Sequence, residues 1–442
     1  MNFKLYWPEL DKPRINAMIS NYRNNCKKDI ALSSILITDG TIIPNTKIHD
    51  LPIQGGVVDK EGYSVKEACS RFEDWHKVLC YEKSGKEAMG EKAIYLGCFL
   101  NQFGHFMLES LSKVWFVLEH PELIKQGYEV VFSVSEWGYS PWMNEFLELC
   151  GIKNARLISE PTVFKEIIIP ESCSGISPDF FTNKFISTIN RIIDSVDGSG
   201  EEEKIYFSRM RLRDNLIGEM EVQDVFEQNG FKVYFPEELT IREKIKLMKG
   251  CKEFAAVSGT TPLWLLFSVH AERAHILERF IPLHHNQLMV QILKDIDTNI
   301  ICATQTFLPV GFGPGPCLVG LTTHLQAFLR ENNFGFEANL QALIYDTYLL
   351  PFLYAWMKNN SNITIRNTAC EVKNYDDLSL IVKLLSFTLF EEDPKKWLDY
   401  KLDKAIAALP EIEPRKKLHK KKEMREPFIL RAISRKLRTL IG

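Results

Sequence analysis

Arg209, Arg211 and Arg213 follow directly on the apolar run Ile205-Tyr206-Phe207-Ser208, so three guanidiniums cluster beyond one strand-like segment. Ser258-Gly259-Thr260-Thr261-Pro262 is a turn of small residues, and Glu278 closes another short apolar run. Together these types suit an anion. The backbone N–H groups of a small-residue turn can approach a phosphate closely, Pro262 fits a first helical position, and a helix start adds partial positive charge. Arg209 can pair a diphosphate through two parallel hydrogen bonds, and an acidic strand end such as Glu278 can accept from ribose hydroxyls. The spacing therefore fits a nucleotide or nucleotide-sugar site; an ordinary α/β core with polar strand ends fits it as well. His105 stands at a second point of interest, after a glycine at the entry to a helical pattern, with Glu109 one turn later on the same face. A histidine oriented by a carboxylate suits proton removal near neutral pH. The alternative for His105 is a buried structural histidine that caps the helix or bonds a carbonyl. Glu109 is an orienting carboxylate, a base in its own right, or a solvated helix position.

The elements needed to position these groups are legible around them. A strand over 205–209 is followed by a helix over 221–228 closed by Asn229-Gly230, a strand over 231–235 stopped by Pro236, and a helix over 241–248. A strand over 253–257, the glycine turn, an apolar helix over 263–269 and a strand over 274–277 complete the series. Such alternation builds a parallel sheet with helices packed against it, and ligands of open parallel sheets bind beyond the strands' carboxyl ends. Upstream, 35–37 and 41–43 flank Thr38-Asp39-Gly40 as a hairpin. Strands over 93–96, 129–134, 156–158 and 167–169 and helices over 106–118 and 142–149 make a second α/β layer. Asp197-Gly198-Ser199-Gly200, followed by three glutamates, reads as the linker.

A family resemblance rests on the order of these pieces. Ile205-Tyr206-Phe207-Ser208-Arg209, Gly230-Phe231, Pro236-Glu237-Glu238-Leu239, Ser258-Gly259-Thr260 and His275-Ile276-Leu277-Glu278 resemble the catalytic domain of glycosyltransferase family 61. Asn101-Gln102-Phe103-Gly104-His105-Phe106, with Glu109 and Leu111, resembles that family's Asn-x-Gly-His-aromatic motif. The resemblance covers about residues 90 to 310. The linker divides the chain into an acceptor-side α/β domain over 1–195 and a nucleotide-sugar domain over 204–340, two Rossmann-like units that fit the GT-B arrangement of such transferases, facing a cleft; apolar segments make 341–442 a helical extension. The resemblance implies transfer of a sugar from a nucleotide-sugar, with UDP as the expected nucleotide, to a hydroxyl of a growing capsular or lipopolysaccharide-type glycan or a lipid-linked glycan. In that reaction, inverting and independent of metal, His105 and Glu109 are the catalytic candidates. Arg209, Arg211, Arg213, Ser258, Gly259, Thr260, Thr261 and Glu278 are the donor-binding ones. Many members write the turn as His-Gly-Ala-Gly-Leu-Thr-Asn, and that His and Asn are absent here. A non-catalytic glycan-assembly scaffold or nucleotide-sugar-binding protein of the same fold is therefore the alternative reading.

The rest of the chain narrows the setting. Hydrophobic residues at 45% and charged residues at 25% are ordinary globular values, and a net charge of −3 gives no general attraction for nucleic acid. Ten cysteines without a C-x-x-C pair argue against zinc and for reduced thiols. Asp295-Ile296-Asp297 matches the metal-holding D-x-D of other sugar transferases but reads here as a polar helix end, and neither metal nor cofactor is expected. His284 and His285 read as loop surface, and two prolines remove the N–H donors that a phosphate cradle at 311–316 would need. From Arg415 the chain turns basic, with Phe428, Ile429, Leu430, Ile433, Leu437, Leu440 and Ile441 in an apolar stripe at helical spacing. Residues 415–441 thus suit an amphipathic helix on an anionic membrane surface, or else a charged tail or a helix packed on the protein. Residues 1–10 do not read as a signal peptide, and no stretch approaches the ~18 apolar residues of a membrane span. The expected location is cytoplasmic, peripheral on the inner face of the membrane.

Overall fold

The computed structural model describes residues 1–46, 54–68, 81–135, 138–176, 179–212, 216–279, 283, 286–304 and 317–337. Arg213, His284 and His285, the 311–316 loop and the 341–442 extension with its basic tail lie outside the described residues.

Two six-stranded sheets organise the molecule. The one that carries the arginines is parallel throughout, in the order Lys232–Tyr234, Lys204–Phe207, Glu253–Val257, Arg273–Glu278, Asp297–Cys302 and Phe3–Tyr6. Its first strand in sequence after the linker, Lys204–Phe207, has the second on one side and the third on the other. The strand order therefore reverses between Lys204–Phe207 and Glu253–Val257, a topological switch point of the kind where open α/β sheets bind ligands.

A parallel sheet must be covered on both faces, and the strand residues alternate accordingly. Ile205, Phe207, Phe254, Ala256 and Ile276 enter one core. Tyr206, Ala255, Val257 and Leu277 enter the other, with Val222 and Phe226 of helix Glu219–Gln228 and Phe328 of helix Thr323–Glu331. The helix Ile241–Gly250 starts with a capping box between Thr240 and Glu243, which satisfies two N-terminal donors reciprocally. The segment after the glycine turn is a 3₁₀ helix, Thr261–Phe267, in place of the expected α-helix over 263–269. All seven of its residues are buried, so packing on both sides holds it in this tighter form.

The chain enters this sheet twice. Phe3–Tyr6 pairs with Asp297–Cys302, Phe3 opposite Thr298. Ile15 and Ile19 of helix Lys12–Asn25 pack with Leu288 and Ile300. Sequence reading groups residues 3–25 with the first unit, because nothing local to a four-residue strand names its partner.

The other sheet is mixed, in the order Gln54–Val58, Ser34–Thr46, Thr162–Pro170, Ala88–Phe99, Glu129–Val134 and Ala155–Ile158. The last four run parallel, and Ser34–Thr46 is antiparallel to both neighbours. The hairpin expected at Thr38-Asp39-Gly40 is absent: these residues lie within one 13-residue strand. Thr38 faces Glu166 and Gly40 faces Phe164, and Asp39 takes a φ of 52°. The Asp-Gly pair bends the strand, and pairing of both halves with Thr162–Pro170 outweighs the local turn preference.

One apolar core runs continuously between the sheets, uniting Phe99, Phe106, Phe132 and Phe146 with Phe207, Phe254, Trp264 and Phe267. Phe103 stacks on Trp264 at 4.6 Å, and Phe146 lies 6.2 Å from Trp264 and 5.8 Å from Phe267. Replacing Trp264 with Ala is expected to cost about 3–5 kcal/mol of stability. Urea denaturation measures this, and a loss below about 1 kcal/mol would show that the aromatic contact is not what joins the halves.

Candidate functional site

The site is assembled at the carboxyl ends of three neighbouring strands. Phe207 is in register with Ala256, and Val257 with Leu277. Extending that register by two residues sets Arg209, the Ser258–Gly259 pair and Glu278–Arg279 side by side. Arg209 and Arg279 are both buried, at 4% and 6% exposure. They converge on Gly259: a Cβ placed there would lie 3.0 Å from Arg209 Nη1 and 3.3 Å from Arg279 Nη2. Gly259 also has a φ of +132°, a conformation that side-chain-bearing residues rarely adopt. The glycine is required twice, by the backbone and by the space.

Each arginine is held by its neighbours. Arg209 donates from Nη1 to Thr261 Oγ1 at 3.0 Å, and its backbone N–H donates to both carboxylate oxygens of Glu219, at 3.0 and 3.2 Å. The Arg279 N–H donates to Ser258 Oγ at 3.2 Å, and the Ser258 N–H donates to Leu277 O at 2.8 Å. The Ser258 hydroxyl thereby pins the backbone of the second arginine. Thr260, half-buried, faces the other half of the molecule.

His105 reaches this turn through Gly104. A Cβ on Gly104 would lie 3.3 Å from Thr260 Cγ2 and 3.2 Å from Leu263 Cδ1, so the His105 helix rests against the start of the 3₁₀ helix. That helix is Phe103–Leu108, followed by a 3₁₀ turn, Ser110–Lys113, and a further helix, Val114–Glu119, in place of the single expected helix over 106–118. Gln102 caps it by accepting from the His105 N–H at 2.8 Å. Glu109 lies at the break, with a φ of −123°, and its carboxylate bonds His105 Nδ1. The imidazole is 28% exposed and the carboxylate 6%. Glu109 therefore orients the ring through Nδ1, which sets Nε2 on the far side from that carboxylate.

Other expected residues take different positions. Arg211 is 53% exposed, pairs with Glu238 and stacks on Phe235 at 4.2 Å, apart from the Arg209–Arg279 cluster. Glu278 is fully buried and accepts from Gln287 Nε2, so its carboxylate is part of the site's wall. Asp295 and Asp297 lie 3.2 and 3.5 Å from the amino group of Met1, at the amino-terminal start of the strand Asp297–Cys302 and so at the opposite end of the parallel strands from the arginines. Among the described residues no group of three or more histidines, cysteines and carboxylates is arranged to hold a metal.

Sequence reasoning missed Arg279, Glu219 and Gln287 as site residues. Arg279 had a visible signal, since it follows its strand as Arg209 follows its own. Glu219 had only Gly218 before it, which takes a φ of 84° at the helix start. Burial pushes the Glu219 carboxyl up to about 7, against the opposing pull of the Arg209 N–H, the Tyr206 hydroxyl and both guanidiniums. Tyr206 donates to Glu219 Oε1 at 3.1 Å and is itself raised, first by burial and then by that carboxylate.

Residues 103–276 match the family model described as glycosyltransferase 61. The family implies glycosyltransferase activity in general, with a sugar donor and a glycan acceptor. The matched span opens on the helix that carries His105 and closes in the strand that leads to Glu278 and Arg279. It thus takes in His105, Arg209 and the glycine turn, and ends before Glu278 and Arg279. No curated protein matches the chain.

The close approach at Gly259 makes a direct test. Gly259→Ala is expected to displace both guanidiniums, weakening binding of a nucleotide diphosphate at least about tenfold while costing about 1–3 kcal/mol of stability. Calorimetric titration and denaturation measure the two effects. Unchanged affinity would show that the arginines do not form the anion site.

Proposed function

We propose that the chain transfers a sugar from a nucleotide-sugar, with a UDP-sugar as the favoured donor, to a hydroxyl of a growing surface glycan or lipid-linked glycan. The single observation that carries this reading is the packing of Gly104 on Thr260, which sets an oriented histidine beside a turn flanked by two buried arginines. The donor diphosphate lies against the N–H groups of 259–261 and between Arg209 and Arg279. The acceptor approaches from the His105 side. This reading takes the two α/β units as a GT-B arrangement, in which the antiparallel strand Ser34–Thr46 sets the mixed sheet apart from a simple Rossmann-like unit.

In mechanism, the acceptor oxygen attacks the anomeric carbon as the bond to the diphosphate oxygen breaks. His105 Nε2 takes the hydroxyl proton, and Glu109 on Nδ1 stabilises the imidazolium that forms. The departing diphosphate carries away the bonding pair, and its growing charge is met by Arg209 and Arg279 in a water-poor site, where such interactions are strong. Attack from the face opposite the leaving group inverts the anomeric centre. Two guanidiniums and backbone donors serve in place of a metal. Ser258 and Glu278 act as supports, Ser258 holding the Arg279 backbone and Glu278 lining the wall beside it; a ribose contact of Glu278 requires Gln287 to give way.

The setting of this reaction is the cytoplasmic face of the membrane, with the basic 415–441 segment on the lipid surface. Among the described residues no helix is long and apolar enough to cross a membrane.

The roles separate kinetically. Arg209→Ala is expected to weaken donor binding at least about tenfold and to lower turnover as well, whereas His105→Ala lowers turnover about 10²–10⁴-fold with donor affinity kept. Donor titration and turnover with a glycan acceptor measure both. Equal loss of donor affinity in the two variants would contradict the assignment. Donor binding without hydrolysis or transfer in the wild-type protein would favour a nucleotide-sugar-binding scaffold.

A further inference from the structure

Glu219 is 1% exposed and lies at the centre of a small charged cluster. It receives the Tyr206 hydroxyl from the strand Lys204–Phe207 and the Arg209 N–H from the loop that follows. The guanidiniums of Arg209 and of Arg279, on the neighbouring strand end, are the charges that act on it. On its own helix, Glu221 is also buried, at 8% exposure. A carboxylate in this place does two things. It fixes the backbone from which Arg209 projects, and it supplies a negative charge to the cations that the proposed function assigns to a diphosphate.

We propose that Glu219 is a positioning residue for Arg209 that couples anion binding at the Arg209–Arg279 pair to the uptake of a proton. The inference rests on the anion site of the proposed function and is independent of sugar transfer. An anion seated against the two guanidiniums adds negative charge to the cluster that already holds the carboxylate. Like charge disfavours the ionised carboxyl, so the bound state holds its proton more tightly than the free state. With burial already pushing the Glu219 carboxyl up to about 7, this difference is felt at neutral pH. By linkage, a site that gains a proton on binding gains affinity as pH falls and loses it as pH rises through that range. The neutral proton-bearing form keeps one carbonyl oxygen for the Arg209 N–H, so the loop remains held.

Sulfate is a suitable probe because it stays a dianion across the range of interest. Thermal melting with sulfate, against chloride at matched ionic strength, gives its affinity at about pH 6, 7 and 8. Wild-type affinity is expected to fall up to about tenfold from pH 6 to 8, and Glu219→Gln, which keeps an acceptor oxygen without the charge, is expected to hold nearly constant affinity. A second measurement needs only the wild-type protein. Sulfate titration at about pH 7 in two buffers of unequal ionisation enthalpy should report uptake of a fraction of one proton per anion. Binding without uptake, or the same pH slope in Glu219→Gln, overturns the role of Glu219 and leaves the anion site standing. No sulfate stabilisation beyond chloride overturns both.

Discussion

Two guanidiniums buried against one glycine are the constraint on which the rest of this structure depends. Like charges in a medium of low polarity repel strongly, and each has lost water that only well-placed partners can replace. Arg209 and Arg279 are held by buried acceptors: Thr261 takes a bond from the Arg209 guanidinium, and Glu219 and Ser258 take the backbone N–H groups of Arg209 and Arg279. Parallel strands in register bring these residues to one level, and the absence of a Cβ at Gly259 leaves room for both guanidiniums to approach it. A substitution in any of these positions acts on the cations first.

The second dependence is mechanical. His105 lies on a helix of only six residues, too short to hold its side chains in place by its own stability. Its position comes from outside, through the Phe103–Trp264 stack, the contact of Gly104 with Thr260 and Leu263, and the Gln102 cap. The same 3₁₀ helix, Thr261–Phe267, begins at the arginine site and continues into the aromatic core shared by both sheets. A shift of that element moves His105 and the Arg209–Arg279 pair together.

The parallel sheet was legible in the sequence because its strands and helices alternate with clear punctuation, from Asn229-Gly230 to Pro236 to the glycine turn, and local pattern and tertiary fold agree there. The order of those pieces was enough to name the family whose model matches residues 103–276. What escaped depends on contacts between distant segments. Phe3–Tyr6 finds its partner almost the length of the described chain away, and Asp39-Gly40 carries a turn signal that sheet pairing overrides. The arginine cluster was read by proximity in sequence, as Arg209, Arg211 and Arg213. The described pair is Arg209 and Arg279, because adjacent parallel strands, and not adjacent residues, bring side chains to the same strand end. Glu278 was recognisable as a polar strand end, but its burial under Gln287 follows from a helix packed above it.

The most direct measurement is a crystal structure of the protein with a nucleotide diphosphate bound. The account predicts the two phosphates over the N–H groups of 259–261, between the guanidiniums of Arg209 and Arg279, with the sugar-bearing end turned towards His105 Nε2. A nucleotide bound elsewhere, with the arginine pair and the glycine turn unoccupied, would contradict it.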